Sequence, residues 1–134
     1  MLSKNKIKYI RSLELKKKRK GEQVFVAEGH KLVGDLLGHF PCKLLIATSN
    51  WLKMNHSATA NEIIEVTQEE LSRASLQKTP QEVLAVFVQP SYDLNPEVIK
   101  SSLCLALDDV QDPGNLGTII RLADWFGIEH IFCS

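Results

Sequence analysis

The chain has 134 residues, of which 44% are hydrophobic and 24% are charged, and its formal net charge at pH 7 is zero. This composition is typical of a globular domain. The sequence has no apolar run of about eighteen residues, so we expect no membrane-spanning helix. No apolar segment follows the basic N-terminus, so we expect no secretory signal. The three cysteines and four histidines lack the spacing of disulfide or metal sites, so we expect a cytoplasmic protein with no metal and no membrane partner.

Residues 1–20 form a basic segment with nine lysines and arginines and one acidic residue, Glu14. The rest of the chain holds seven basic and fifteen acidic residues, so the segment is a basic arm on an acidic body. Apolar residues at helical spacing predict a helix over 3–16, with Ser3 as its N-cap. The arm indicates a polyanionic partner, bound through salt-dependent phosphate contacts, and a solvated, partly disordered basic tail is the alternative.

Residues 21–90 alternate between short apolar runs and segments of helical spacing. A strand is predicted over 24–29, a helix over 30–40 and a second strand over 42–48. A T-x-x-E capping box at 67–70 predicts the start of another helix. The remaining predicted elements are a short helix over 50–56 capped by Asn50, strands over 62–67 and 82–90, and a helix over 68–76. This alternation indicates a mainly parallel sheet with helices on both faces.

A linker with a short helical turn is expected over 91–102, which has turn residues at both ends. After it come a predicted strand over 103–110, a Q-D-P-G-N turn, a helix over 116–126 that ends at Gly127, and a strand over 130–133. Together these elements make one βαβ unit. Because stable α/β domains need several such units to bury both faces of a sheet, we expect the second domain to be incomplete.

The junction at 108–121 carries the residues of most chemical interest, because ligands of open parallel sheets bind beyond the carboxyl ends of the strands. Asn115 is expected to cap the helix. The turn does not fit a phosphate-binding motif, and its acidic residues would repel a phosphate. Arg121 is near enough to swing back toward the turn and bind a phosphate or a ribose hydroxyl. The alternatives are a purely structural turn and a surface arginine that pairs with Asp124 or stacks on Trp125.

The segment LDDVQDPGNLGTIIRLADWFGIEHIF closely resembles the first signature motif of the SpoU (TrmH-type) RNA ribose methyltransferases. That motif runs Asp-Pro-x-Asn-x-Gly, then a helix with Arg, then Ala, Phe and Gly before the next strand. The matching residues are Asp112, Pro113, Asn115, Gly117, Arg121, Ala123, Phe126 and Gly127. The segments VFVAEGHKLVGDLL and KTPQEVLAVF resemble the N-terminal substrate-binding domain of that family, although Glu82 stands where a glycine is usual.

The resemblance implies a three-layer α/β/α RNA-binding domain over 21–90, followed by the first βαβ unit of an α/β-knot methyltransferase domain over 103–134. It also implies transfer of a methyl group from S-adenosylmethionine to a ribose 2′-hydroxyl. In that reaction Arg121 would assist deprotonation of the hydroxyl or orient the RNA, and Asn115 would hold Arg121 in place. The expected partners are ribosomal RNA, with transfer RNA as the alternative, and, for the full-length enzyme, a second copy joined through the catalytic domain. The expected RNA-binding residues are Lys16, Lys17, Lys18, Arg19, Lys20, Gly29 and Lys31.

The later motifs of the family, which form the knot and most of the cofactor pocket, would lie after Ser134. We therefore expect a truncated methyltransferase domain, in a chain that binds RNA but neither binds S-adenosylmethionine tightly nor transfers methyl groups. A non-catalytic RNA-binding module is the alternative function. An unrelated nucleotide-binding α/β protein is a third, which the absence of a phosphate-binding motif argues against.

Overall fold

The computed structural model describes residues 1–134, which divide into two units, Met1–Ser91 and Tyr92–Ser134. The first unit contains, in chain order, α1 (Lys4–Ser12), α2 (Lys16–Glu22), β1 (Val24–Glu28), α3 (His30–Leu36), β2 (Cys42–Thr48), α4 (Ser49–Met54), β3 (Glu62–Val66), α5 (Gln68–Ala74) and β4 (Val83–Val88). The second contains α6 (Pro96–Ser101), β5 (Leu105–Leu107), α7 (Pro113–Trp125) and β6 (Ile131–Cys133).

The first unit is built on a four-stranded sheet in the order β1–β4–β2–β3. β4 pairs antiparallel with both β1 and β2, whereas β2 and β3 are parallel. The sheet is therefore mixed, and the prediction of a mainly parallel sheet is wrong for β4. The physical reason lies before that strand: α5 has only seven residues, and segment 75–82 returns the chain to the end of the sheet at which β1 and β2 stop. The chain enters β4 from that end and runs against its neighbours.

Helices cover both faces of this sheet, which confirms the three-layer α/β/α fold. Side chains of a strand point alternately to the two faces, and β4 supplies apolar residues to both. Leu84 and Val86 cluster with buried residues of α1 and α5 on one face. On the other face, Val83, Ala85 and Phe87 cluster with buried residues of α3 and α4. All five side chains are fully buried, so β4 forms the centre of the core.

Residues 1–20, expected to form a separate arm, are part of the first unit. The helix predicted over 3–16 is the shorter α1, and Ser3 caps it by accepting a backbone N–H at 3.2 Å. Ile10 and Leu13 are 0% and 1% exposed, because both pack into the core on one face of the sheet. The basic run that follows forms helix α2, so the alternative of a partly disordered tail is wrong.

Of two helix caps predicted for the first unit, one is confirmed and one is wrong. The capping box is confirmed, since Glu70 N donates to Thr67 Oγ1 at 3.2 Å and Thr67 N donates to the Glu70 carboxylate at 3.0 Å. Helix α4 is capped by Thr48, whose Oγ1 accepts from Trp51 N at 3.3 Å, and not by Asn50. Thr48 has the extended backbone of an N-cap, whereas Asn50 already lies inside the helix.

In the second unit, β5 and β6 are parallel and α7 connects them, so the predicted βαβ unit is confirmed. The short helix α6 lies within the expected linker. Gly127, with φ +72°, follows the end of α7 as predicted. Ala123 is buried, whereas Trp125 and Phe126 are 84% and 71% exposed, because two strands of three residues offer only a narrow surface for α7 to cover.

No helix of the structure combines the length and apolarity needed to cross a membrane. No group of three or more histidine, cysteine, aspartate or glutamate side chains is arranged to hold a metal ion. Cys42, Cys104 and Cys133 are free thiols.

Candidate functional site

One edge of the first sheet collects polar residues from four parts of the chain. Strands β1, β2 and β3 end at this edge and β4 begins there, since β4 runs against the other three. We call it the carboxyl edge and define it by residues 28–31, 48–50, 65–68 and 75–82. Loops at the carboxyl ends of strands are the usual ligand-binding positions in open α/β sheets.

Gly29, a predicted RNA-binding residue, is buried at the carboxyl edge and has a structural role. Its φ of +100° disfavours any side chain, and a Cβ would come within 2.9 Å of Gln81 Oε1. Gly29 N donates to Val83 O at 3.0 Å, and His30 N donates to Gln81 Oε1 at 2.9 Å. The glycine thus allows α3 to begin directly against the segment that precedes β4. Lys31, in the first turn of α3, is exposed to solvent.

The carboxylate of Glu28 anchors segment 75–82 to the end of β1. Glu28 is only 9% exposed, and its Oε2 accepts a hydrogen bond from Leu76 N at 3.0 Å. Its Oε1 accepts from the hydroxyl of Ser75. The middle of the segment, including Lys78, remains exposed. A buried carboxylate therefore fixes the start of an otherwise solvent-facing loop.

Glu82 lies at the end of that loop and binds side chains from the end of β2. Its Oε1 accepts from Thr48 Oγ1 at 3.1 Å and from Asn50 Nδ2 at 3.5 Å. Its Oε2 is 3.7 Å from His30 Nε2. Sequence reasoning identifies Glu82 only as a departure from a family pattern, because these partners lie more than thirty residues away in the chain.

The predicted basic cluster lies on helix α2, and only part of it is available to a partner. Four of its side chains are exposed: Lys16, Lys17, Lys18 and Lys20. Arg19 instead folds back, and its Nη1 donates to Leu13 O at 2.8 Å and to Glu14 O at 2.6 Å. One nitrogen of its guanidinium is thus engaged by carbonyl groups of the turn after α1, and the contact of Arg19 with RNA stays a prediction.

The structure does not bring the end of this basic helix to the carboxyl edge. Helix α2 ends at the amino end of β1, where Gln23 O accepts from Gln89 N at 2.8 Å. Gly29 follows the opposite end of β1, and the five residues of that strand span about 17 Å. The predicted RNA-binding residues thus form two separate groups in the first unit.

In the second unit, the predicted catalytic residues Asn115 and Arg121 both lie on α7. Asp112, not Asn115, caps the helix: Asp112 Oδ2 accepts from Asn115 N at 2.8 Å. Pro113 occupies the first helical position, where its missing N–H costs nothing, so α7 begins before the predicted residue 116. Asn115 therefore lies in the first turn of the helix.

Arg121 is exposed, and its side chain forms neither a hydrogen bond nor an ion pair with another residue of the structure. It lies six residues after Asn115, about 9 Å further along the helix axis, and the two side chains are not hydrogen-bonded. The alternative contacts considered for Arg121, an ion pair with Asp124 or stacking on Trp125, are not formed either. The guanidinium is therefore open to a ligand.

The ends of β5 and β6 are joined by side-chain hydrogen bonds beside an open groove. Ser134 Oγ donates to Asp108 Oδ1 at 2.8 Å, and Asp109 N donates to Ser134 Oγ at 3.0 Å. The adjoining groove has a volume of about 350 Å³ and is lined by residues of the two short strands and Asp108. The groove is open to solvent on one side.

Residues 4–85 match the family described as the MRM3-like substrate binding domain. Over 127 residues the chain is 30% identical to the 23S rRNA (guanosine(2553)-2′-O)-methyltransferase RlmP of Bacillus subtilis (strain 168). That alignment covers 94% of this chain and 50% of the relative. The chain therefore spans about half the length of this relative.

Two solved structures resemble the whole chain. A putative RNA methyltransferase of the TrmH family from Porphyromonas gingivalis superposes with a TM-score of 0.81 at 41% identity, covering 99% of this chain and 52% of that one. The AdoMet-bound rRNA methyltransferase of Sinorhizobium meliloti superposes with a TM-score of 0.70 at 32% identity, with the same coverage of 99% and 52%. The similarity thus includes both the three-layer unit and the βαβ unit.

Proposed function

The chain belongs to the SpoU (TrmH-type) RNA methyltransferase family, with an MRM3-like substrate-binding domain, and from this premise we propose that it forms the N-terminal, RNA-binding portion of a ribose 2′-O-methyltransferase. The proposed substrate is ribosomal RNA, and the proposed methyl donor is S-adenosylmethionine. The observation that carries the proposal is the match to a TrmH-family structure at 41% identity over 99% of the chain.

We assign RNA binding to the first unit. The exposed lysines of α2, namely Lys16, Lys17, Lys18 and Lys20, supply phosphate contacts that any RNA sequence satisfies. Lys31 supplies a further cation at the carboxyl edge, where the buried Gly29 allows α3 to begin against the segment that precedes β4. Arg19 supports this surface indirectly, because it holds the turn between α1 and α2.

We assign the ribose to the second unit, and specifically to Arg121. Its guanidinium is exposed and has no protein partner, so its planar fork of donors is available to orient the RNA or to assist removal of the 2′-hydroxyl proton. Asn115 lies six residues, or about 1.7 turns, earlier on α7, as a candidate to hold that arginine once RNA is bound. S-adenosylmethionine supplies the methyl group in this scheme, and no residue of the chain is assigned to bind it.

The groove of the second unit is open to solvent on one side, and we propose that these 134 residues alone neither bind S-adenosylmethionine tightly nor transfer methyl groups. Isothermal titration calorimetry with S-adenosylmethionine tests this, and micromolar affinity would contradict it. We also propose a homodimer for the whole enzyme and a cytoplasmic location, which the three free thiols support. Light scattering and cell fractionation test these two points.

The test of the activity is a methyl-transfer assay on the native protein. An antibody to residues 21–90 isolates it from its source cells, and labelled S-adenosylmethionine and ribosomal RNA are then added. We expect label at a ribose 2′-oxygen, which makes the adjacent phosphodiester resistant to alkali. An Arg121→Ala variant is expected to bind RNA and lose transfer. RNA binding without any transfer by the native protein would favour a non-catalytic RNA-binding module.

A further inference from the structure

A groove of about 500 Å³ opens at the carboxyl edge, between the ends of β2 and β3 and the start of β4. This volume falls within the range of small-molecule sites, so the groove has room for a single nucleobase. Its walls include the side chains of Asn50, Glu65, Gln68, Glu70 and Glu82. The lining is thus rich in oxygen acceptors and side-chain amides.

Glu82 presents an unused acceptor atom on this groove. Its Oε1 already accepts from Thr48 Oγ1 at 3.1 Å and from Asn50 Nδ2 at 3.5 Å, which fixes the orientation of the carboxylate. Its Oε2 accepts no hydrogen bond, and the nearest cationic candidate, His30 Nε2, is 3.7 Å away. The side chain is 33% exposed. Glu82 therefore lines the groove with a carboxylate whose orientation is fixed through Oε1 and whose Oε2, beside His30, accepts no hydrogen bond.

The charges of the groove favour a hydrogen-bond donor over a phosphate. No lysine or arginine lines it, although the N-terminal residue Met1 does. Hydrogen bonds from the backbone N–H groups of Thr67 and Leu2 lower the pKa of Glu70, so this carboxylate is charged at neutral pH. Together with Glu65 and Glu82, it would repel the RNA backbone.

We propose that Glu82 is a specificity-determining residue that accepts a hydrogen bond from the exocyclic amino group of an unpaired RNA base in this groove. The inference rests on the proposed RNA-binding function and adds the chemical class of base that the first unit selects. Guanine, adenine and cytosine carry such an amino group, whereas uracil has none. Proteins read RNA sequence mainly on unpaired bases. In this proposal the groove binds a base with an exocyclic amino group more tightly than uracil.

The test compares RNA hairpins that share one stem and differ at one loop position, titrated into the 134-residue protein by fluorescence anisotropy. One loop contains only uridine, the second has one guanosine, and the third has inosine at the same position, which lacks the 2-amino group. We expect the guanosine loop to bind on the order of tenfold more tightly than the other two. Glu82→Ala is expected to abolish this difference.

The matched control is Glu69→Ala, which removes an exposed carboxylate of α5 that does not line the groove. It is expected to keep the preference for guanosine. Should Glu82→Ala fail to fold by circular dichroism, Glu82→Met replaces it, because Met has a similar size and removes both acceptor oxygens. Equal binding of the three hairpins, or a preference that survives Glu82 substitution, overturns the specificity assignment and leaves RNA binding in place. Absence of binding to every hairpin overturns the proposed function itself.

Discussion

Glu28 and Leu76 are 48 residues apart in the chain, yet the backbone N–H of Leu76 donates to the buried Glu28 carboxylate at 3.0 Å. Ser75 donates its hydroxyl to the other oxygen of the same carboxylate. The pair ties the end of β1 to the segment that leads into β4. Because that segment forms much of the carboxyl edge, the geometry of the proposed RNA-binding surface depends on one buried charge.

Glu28→Ala is expected to destabilise the fold by about 1.5–3 kcal/mol, since it removes hydrogen bonds to a charged acceptor and leaves their donors unpaired. Urea unfolding followed by circular dichroism measures the loss. Hydrogen exchange should also speed up in residues 75–82. Glu69→Ala removes only an exposed ion pair with Arg73 and is expected to stay within about 0.5 kcal/mol of wild type. Equal losses of unfolding free energy for the two variants would show that the Glu28 contact stabilises the fold no more than an exposed ion pair does.

Gly29→Ala is expected to cost about 1–3 kcal/mol, because its φ of +100° disfavours a side chain and its Cβ would approach Gln81 Oε1 to 2.9 Å. Gly34 provides the matched control: it lies inside α3, and nothing lies within 4 Å of a Cβ placed there. Gly34→Ala should stabilise the helix by up to about 1 kcal/mol. Thermal unfolding of both variants gives the sign of each change, and a stabilising Gly29→Ala would refute the backbone argument.

Cys42 is expected to resist alkylation in the native protein. Burial raises the pKa of its thiol to about 11, so at pH 8 only about one thousandth of it is the reactive thiolate. The exposed Cys133 is expected to react first. Mass spectrometry after timed treatment with iodoacetamide separates the two sites. Reactivity at Cys42 should increase as the pH rises toward 11 and should appear at once in urea. Equal native rates at pH 8 would contradict its burial.

Replacing Lys16, Lys17 and Lys18 together with alanine is expected to weaken RNA binding without changing stability, because all three side chains are exposed. Removal of each lysine that binds a phosphate should reduce the magnitude of the slope of log K against the logarithm of the salt concentration by about one. Anisotropy titrations at several salt concentrations measure that slope. Lys53→Ala, an exposed lysine on α4, serves as the control and should leave the slope unchanged.

Arg19→Ala is expected to behave differently from the lysine variants. Its guanidinium donates to the carbonyl groups of Leu13 and Glu14, so its loss should lower the urea midpoint. The salt slope of RNA binding should change little in the fraction that remains folded. A normal urea midpoint together with a reduced salt slope of RNA binding would show that Arg19 contacts phosphate and does not stabilise the turn.

Local sequence signals predict most of the elements of this fold. The strand Cys42–Thr48 and the cap at Thr67 follow from a short apolar run and from a capping box, both of which depend on a few neighbouring residues. The direction of β4 could not be predicted in this way, because it depends on where segment 75–82 enters the sheet. Helix α2 could not be predicted either, since a run of consecutive lysines shows no helical spacing and Arg19 stabilises the turn before it through carbonyl groups.

In the candidate site, too, only the features that depend on neighbouring residues could be predicted from the sequence. Arg121 and Gly29 could be identified from motifs, because each belongs to a short pattern of fixed spacing. The contacts of Glu28, Gln81 and Glu82 could not, because each joins segments more than thirty residues apart. The carboxylates matter to the electrostatics of the carboxyl edge, yet single acidic residues carry no pattern that separates them from a solvated surface.

The measurement that tests RNA binding by the first unit most directly is ultraviolet cross-linking of the 134-residue protein to ribosomal RNA, followed by mass spectrometric mapping of the linked peptides. Binding by the first unit predicts cross-links at helix α2 and in residues 28–31 and 75–82 of the carboxyl edge, which weaken as salt is raised. Cross-links confined to Tyr92–Ser134, or none at low salt, would contradict the assignment of RNA binding to the first unit.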